Sequence, residues 1–183
     1  MGRFDAAFLA KAHVRVDDLE RFRRYPNLTM LAIEATELPD HGLQAVSQLS
    51  QLQRLQFNSL RLEGSGVRHL AGLPNLSDVS FFNLNLNCAA LEGLGTCHQI
   101  RTLTLRFVML REEDLRHLSR NRGLDRLKIE RCSVSDRGLE HIAECENLQR
   151  LFLQATLITD DGLASLAKLP QLNSLRTRPR TDS

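Results

Sequence analysis

Aromatic side chains are scarce: 183 residues hold no Trp, one Tyr (Tyr25) and eight Phe. Any core must therefore be mainly aliphatic. No run of about 18 apolar residues occurs, so no segment is long and apolar enough to cross a membrane as a helix. Strong charge of one sign is missing too. Against 24 basic residues stand 22 acidic ones, a net charge of +2, which argues against a dedicated nucleic-acid surface. The N-terminus, Met1-Gly2-Arg3-Phe4-Asp5, lacks the basic-then-apolar pattern of a signal peptide. Gly2 does not sit in a myristoylation motif, because residue 6 is Ala where Ser or Thr is needed. The four cysteines, Cys88, Cys97, Cys132 and Cys145, form no C-x-x-C pair, so they are expected to be free thiols packed as small apolar groups. Together these features point to a cytoplasmic chain. No G-x-x-x-x-G-K-[ST], G-x-G-x-x-G or H-E-x-x-H occurs, so these nucleotide and zinc-protease motifs are excluded.

What the chain has is a register. Leu28, Leu52, Leu76, Ile100, Leu124, Leu148 and Leu172 stand 24 residues apart without a slip. A fixed period of that length means stacked units, not a globule around one centre. Each unit opens with L-x-x-L-x-L or a close variant, as in Leu28-x-x-Leu31-x-Ile33 and Leu148-x-x-Leu151-x-Leu153. The last two apolar positions alternate, which predicts a short strand with one buried face. A further apolar column follows at Leu38, Leu62, Leu86, Leu110, Val134 and Ile158. Apolar residues then recur three apart, as at Leu43, Val46 and Leu49, which predicts a helix with one face inward. Ser135-Asp136 and Thr159-Asp160 precede two of these helices and are suited to capping them. Ser47, Ala71, Gly95, Ser119, Ala143 and Ala167 form a column of small residues, read as the helix-to-helix contact.

This pattern resembles the leucine-rich repeat family, over about residues 4–178. The unit Leu124-x-x-Leu127-x-Ile129-x-x-Cys132, followed by Cys145-x-x-Leu148, is similar to the cysteine-containing subclass. The units are shorter than that subclass uses, and most lack the first cysteine. Thr36, Leu60, Leu84, Val108, Cys132 and Thr156 stand where an Asn is common, so packing must hold the turn. The resemblance implies an α/β fold: a right-handed, curved solenoid with a parallel sheet on its concave face and helices on its convex face. One domain, 1–183, is expected: a degenerate capping repeat at 1–27, six full repeats at 28–171, and a partial strand with a basic tail at 172–183. In the cap, Phe4, Leu9 and Val14 take the strand and turn columns, and Leu19, Phe22 and Tyr25 the helix column. At the other end no closing helix follows Leu175. Pro179 and the arginines would blunt that edge, or the edge would support self-association.

Residues flanking the inward strand positions point out of the concave face. They form three columns: Met30, Arg54, Asp78, Thr102, Arg126, Arg150, Ser174; Ala32, Gln56, Ser80, Thr104, Lys128, Phe152, Arg176; and Glu34, Asn58, Phe82, Arg106, Glu130, Gln154, Arg178. Seven are basic and three acidic, a local +4, while the remaining residues net −2. The basic ones gather toward the C-terminal half. Phe82, Phe152 and Phe107 are candidate aromatic anchors beside them. The expected partner-binding residues are thus Arg54, Asp78, Phe82, Thr104, Arg106, Arg126, Lys128, Glu130, Arg150, Phe152, Gln154 and Arg176.

No catalytic residues, cofactor or metal site are expected. His69, His117 and His141 share a helix column, but neighbouring helices stand too far apart for three rings to converge on one ion. Cys132 and His141 lack a third, orienting group for nucleophilic catalysis. The favoured function is a non-enzymatic module binding another protein through its concave face, at an acidic patch on that partner. Alternatives are a regulatory or substrate-recognition subunit of an enzyme complex, and nucleic-acid binding by the same basic strip.

Overall fold

The computed structural model describes residues 5–62 and 64–178. Phe4 and the Pro179–Ser183 tail lie outside the described residues. The strands are β1 (Ala6–His13), β2 (Met30–Leu38), β3 (Arg54–Asn58), β4 (Arg61–Leu62), β5 (Asp78–Phe82), β6 (Thr102–Arg106), β7 (Arg126–Glu130), β8 (Arg150–Gln154) and β9 (Ser174–Arg178). They form one parallel sheet in the order β1-β2-β3-β5-β6-β7-β8-β9, with β4 pairing β2. Partners along every ladder differ by 24 in number, from Ala6↔Met30 to Gln154↔Arg178. The repeat length is therefore the strand-to-strand step. Parallel neighbours need a crossover, and each unit's convex half supplies it.

The inward strand positions are sealed: Leu31, Ile33, Leu55, Phe57, Val79, Phe81, Leu103, Leu105, Leu127, Ile129, Leu151 and Leu153 are at most 1% exposed. Each such side chain contributes roughly 1.5–3 kcal/mol by leaving water. Phe57 and Phe81 stack at a centroid distance of 5.2 Å, so the few aromatics extend the aliphatic stack. Leu60, Leu84, Val108 and Cys132 are buried in the column where an Asn is common, while Thr156 there is half-buried. The fold is a leucine-rich-repeat solenoid.

The convex segments are α1 (Val16–Glu20), α2 (Asp40–Val46), α3 (Cys88–Gly95), α4 (Asp136–Ile142) and α5 (Asp160–Ala164). Between them, Ser65–Gly72 and Glu112–Arg120 are helices of the 3₁₀ type. Their apolar residues, Val67 and Leu70 in one and Leu115 and Leu118 in the other, stand three apart. A strict spacing of three keeps them on one line in a 3₁₀ helix, whose period is 3.0 residues.

Two expectations about the convex layer are corrected. Ser135 and Thr159 make no side-chain cap to their own helices. They bind the preceding unit instead. Thr159 donates from N and Oγ1 to Asp136, at 2.8 and 2.6 Å, and Ser135 donates from N and Oγ to Glu112. These bonds tie one unit to the next. The small column is also only partly a contact: Ala71 and Ala167 are exposed, while Gly95 and Ala143 are buried. Gly95 of that column does come close to the His117 carbonyl oxygen, and Gly42, Gly66, Gly138 and Gly162 form a second column of close approach. At Gly66 a Cβ would lie 2.7 Å from the Asp40 carbonyl oxygen.

At the N-terminal end, Val14 and Leu19 are buried and Leu9 and Phe22 pack partly on the core, but Tyr25 is exposed. At the other end β9 pairs with β8, which places Arg176 and Arg178 on the sheet.

Candidate functional site

Side chains alternate across a strand, so three outward columns follow from the two inward ones. The ladders place all three columns as expected. Arg54 lies beside Asp78, Thr102 beside Arg126, and Arg126 beside Arg150. Ser80 lies beside Thr104, Thr104 beside Lys128, Lys128 beside Phe152, and Phe152 beside Arg176. Phe82 lies beside Arg106, Arg106 beside Glu130, and Glu130 beside Gln154.

These residues divide into two recesses. The larger, of about 720 Å³, is lined by Arg126, Lys128, Glu130, Arg150, Phe152, Gln154, Arg176 and Arg178, with Ser174 and Leu151. Five cations meet one carboxylate there. That carboxylate is already engaged, since Arg106 Nε lies 3.6 Å from Glu130 Oε2. Phe152 is half-buried among the cations and offers an apolar floor. The smaller recess, of about 260 Å³, holds Arg54, Asp78, Thr102 and Arg126 with Arg101 and Asp125. Its charges are mixed. Burial pushes the Asp78 carboxyl above its ordinary range, against the pull of Lys128 and Arg54. Arg54 and Asp78 thus stand apart from the cationic concavity, Thr104 is half-buried between the two recesses, and Phe82 lies toward the Arg106 edge.

Phe107 belongs to a different surface. Ser59, Asn83, Phe107, Arg131 and Ala155, one per unit, all have φ between 50° and 54°. Each N–H donates to a carbonyl of the next strand, for example Phe107 to Glu130 at 3.0 Å and Arg131 to Gln154 at 2.8 Å. That bond holds a non-glycine residue in the left-handed region. Phe107 is 44% exposed there, with the Arg106 and Arg131 guanidinium carbons 5.5 and 5.2 Å from its ring centre.

Cys97, Cys132 and Cys145 are buried free thiols, and burial pushes Cys97 and Cys145 up to about 12. The Cys132 sulfur faces the carbonyls of Leu105 and Glu130, while His141 lies 3.9 Å from Glu144. Cys88 differs. It is half-buried, its sulfur is 3.4 Å from His117 Nε2, and the Asp114 carboxylate completes a cluster whose ligand-type atoms all lie within 4.8 Å of one another. His117, in the helix column of His69 and His141, is only 5% exposed. A signal did exist: Asp114 occupies the column that is Gly42, Gly66, Gly138 and Gly162 in other units. Among the described residues no helix is long and apolar enough to cross a membrane.

The arrangement defines a repeat solenoid with a polar, cationic concave sheet. No family model matches the sequence, and no curated protein is similar to it. Solved structures do share its fold. One is an internalin from Listeria monocytogenes, 17% identical, with a TM-score of 0.55 over 90% of this chain and 53% of that one. Another is an internalin C2 from the same organism, also 17% identical, with a TM-score of 0.59 over 94% of this chain and 72% of that one. The chain spans about half the length of the first.

Proposed function

We propose that the chain is a non-catalytic module that binds an acidic segment of another protein in the C-terminal half of its concave sheet. The observation that carries this reading is the 720 Å³ concavity, where Arg126, Lys128, Arg150, Arg176 and Arg178 surround Phe152 and the sole carboxylate, Glu130. Arginine forks suit carboxylates, and a half-buried aromatic beside them suits a protein interface. Protein recognition by such a module is compatible with a role as the recognition subunit of an enzyme complex. It is read as working in a reducing compartment, because its four cysteines are free.

Selection from an unbiased displayed-peptide library at physiological salt tests this. Peptides rich in Asp and Glu are expected. The double variant Arg126→Glu/Arg150→Glu should weaken their binding by more than tenfold. Acidic peptides that bind the double variant equally well, or a preference for random RNA over every peptide, would overturn the reading.

A further inference from the structure

In a solenoid the columns make departures visible, and three coincide at one junction. Position 88 belongs to the column of Asp40, Gly64, Glu112, Asp136 and Asp160, whose acids at 112 and 136 tie their unit to the next. Here the residue is Cys88, and its sulfur faces His117 of the following unit instead. Position 114 belongs to a column of glycines and Ala90, yet it carries a carboxylate that is only 1% exposed. Position 117 shares its column with His69 and His141, which are half-buried, but its own imidazole is only 5% exposed.

A buried carboxylate and a buried imidazole are costly unless they are bonded. Asp114 is held by Arg111, Nε to Oδ2 at 3.0 Å and a second nitrogen to Oδ1 at 3.4 Å. His117 is less well satisfied, because its buried Nδ1 has no hydrogen-bond partner among the described residues. Its Nε2 meets the Cys88 sulfur, a weak hydrogen-bond partner, so hydrogen bonding satisfies this buried ring poorly. Sulfur, imidazole and carboxylate are the ligand types of zinc, with bonds of about 2.3 Å to S and 2.0–2.1 Å to N; a tetrahedral angle then puts S and N about 3.5 Å apart. Cys88 Sγ and His117 Nε2 are 3.4 Å apart.

We propose that Cys88, Asp114 and His117 bind one divalent zinc-type ion across the junction of α3 and the following 3₁₀ helix. Arg111 holds the carboxylate through both oxygens, as outer contacts do for metal ligands. Cys88 is half-buried, so the ion can enter from solvent and keep a water as its fourth ligand. The ion would pin two adjacent units where the acid-to-hydroxyl tie of other junctions is replaced.

Titration of the reduced full chain with Zn²⁺, and with Co²⁺ as a coloured substitute, tests this. One ion per chain is expected, with a sulfur-to-cobalt charge-transfer band and a melting temperature that rises with Zn²⁺. Cys88→Ser, a near-isosteric change at a half-buried position, should abolish the band. It should also weaken Zn²⁺ binding by more than the ~10–100-fold that loss of an outer contact costs. Asp114→Asn should weaken binding too, and His69→Gln should bind as the parent does. No ion at micromolar Zn²⁺, or binding unchanged by Cys88→Ser, overturns the proposal.

Discussion

Arg126 and Arg150 are direct neighbours on β7 and β8, two cations side by side on one face of the sheet. Parallel neighbours lie ~4.8 Å apart, and like charges so placed repel. A protein that keeps such a pair carries a cost in its free state that an acidic partner would remove. Arg150→Glu converts the pair into an opposite-charge neighbour. Arg126 is better left in place, because it also acts on Asp78, whereas the other neighbour of Arg150 is the uncharged Ser174. An opposite-charge cross-strand pair contributes roughly 0.2–1 kcal/mol, and the repulsion it replaces is of similar size, so the swing is about 0.4–2 kcal/mol. For a domain of this size each kcal/mol moves the melting temperature by roughly 2–4 °C, which gives a rise of about 1–8 °C. Thermal melts by circular dichroism at low and high salt measure it. The gain should shrink as salt screens the pair. A lower melting temperature, or a gain indifferent to salt, would show that the two side chains do not share one exposed face. The same variant should lose affinity for acidic peptides, so stability and binding should move in opposite directions.

Two glycines separate close approach from open space. A Cβ on Gly95 would run into the His117 carbonyl oxygen, so Gly95→Ala should cost about 1–3 kcal/mol. Gly72→Ala meets nothing nearer than Ser47 Cβ at 3.8 Å and should gain about 0.4–1 kcal/mol; urea unfolding of both variants measures the contrast. Asp136 accepts two bonds from Thr159, which hold its carboxyl below the ordinary value of 3.8. Its contribution to stability is therefore present above pH 4 and is lost as pH falls through the lowered pKa. Thr159→Val should move the Asp136 midpoint, read by NMR titration, back toward 3.8 and flatten the acid limb of the stability curve.

The leucine register made the sheet legible because residues 24 apart become strand neighbours on every ladder. That one fact puts Arg126 beside Arg150 and Lys128 beside Phe152, as the β7–β8 ladder has them. The convex layer was less legible. Over eight residues a period of 3.0 and one of 3.6 drift apart by little more than one residue, so the spacing at Ser65–Gly72 announces a helix but not its 3₁₀ type. The left-handed column was hidden because it holds Ser, Asn, Phe, Arg and Ala without a glycine. Its conformation is imposed by a hydrogen bond to the next unit, and no residue type announces that. Ser135 and Thr159 misled in a related way: their hydroxyls suit a helix start, but an acid one unit earlier competes and wins. In these last two cases the deciding partner lies in a neighbouring unit.

The Cys88 cluster shows what the opposite habit yields. Read within its own unit, His117 is one more polar residue on a helix, and its column-mates His69 and His141 encourage that view. Read against the units on either side, it is the buried ring that meets a cysteine from the unit before and lies beside an aspartate in a glycine column. Regular positions carry the architecture and are interchangeable between units. Chemistry specific to this chain must therefore sit where columns break, and it must involve residues from two adjacent units, because that junction is the smallest part of a solenoid that encloses anything. The cationic concavity and the Cys88 junction both meet that condition, one on the sheet and one on the convex layer. They should accordingly be separable: Arg150→Glu should leave Zn²⁺ binding untouched, and Cys88→Ser should leave acidic-peptide binding untouched.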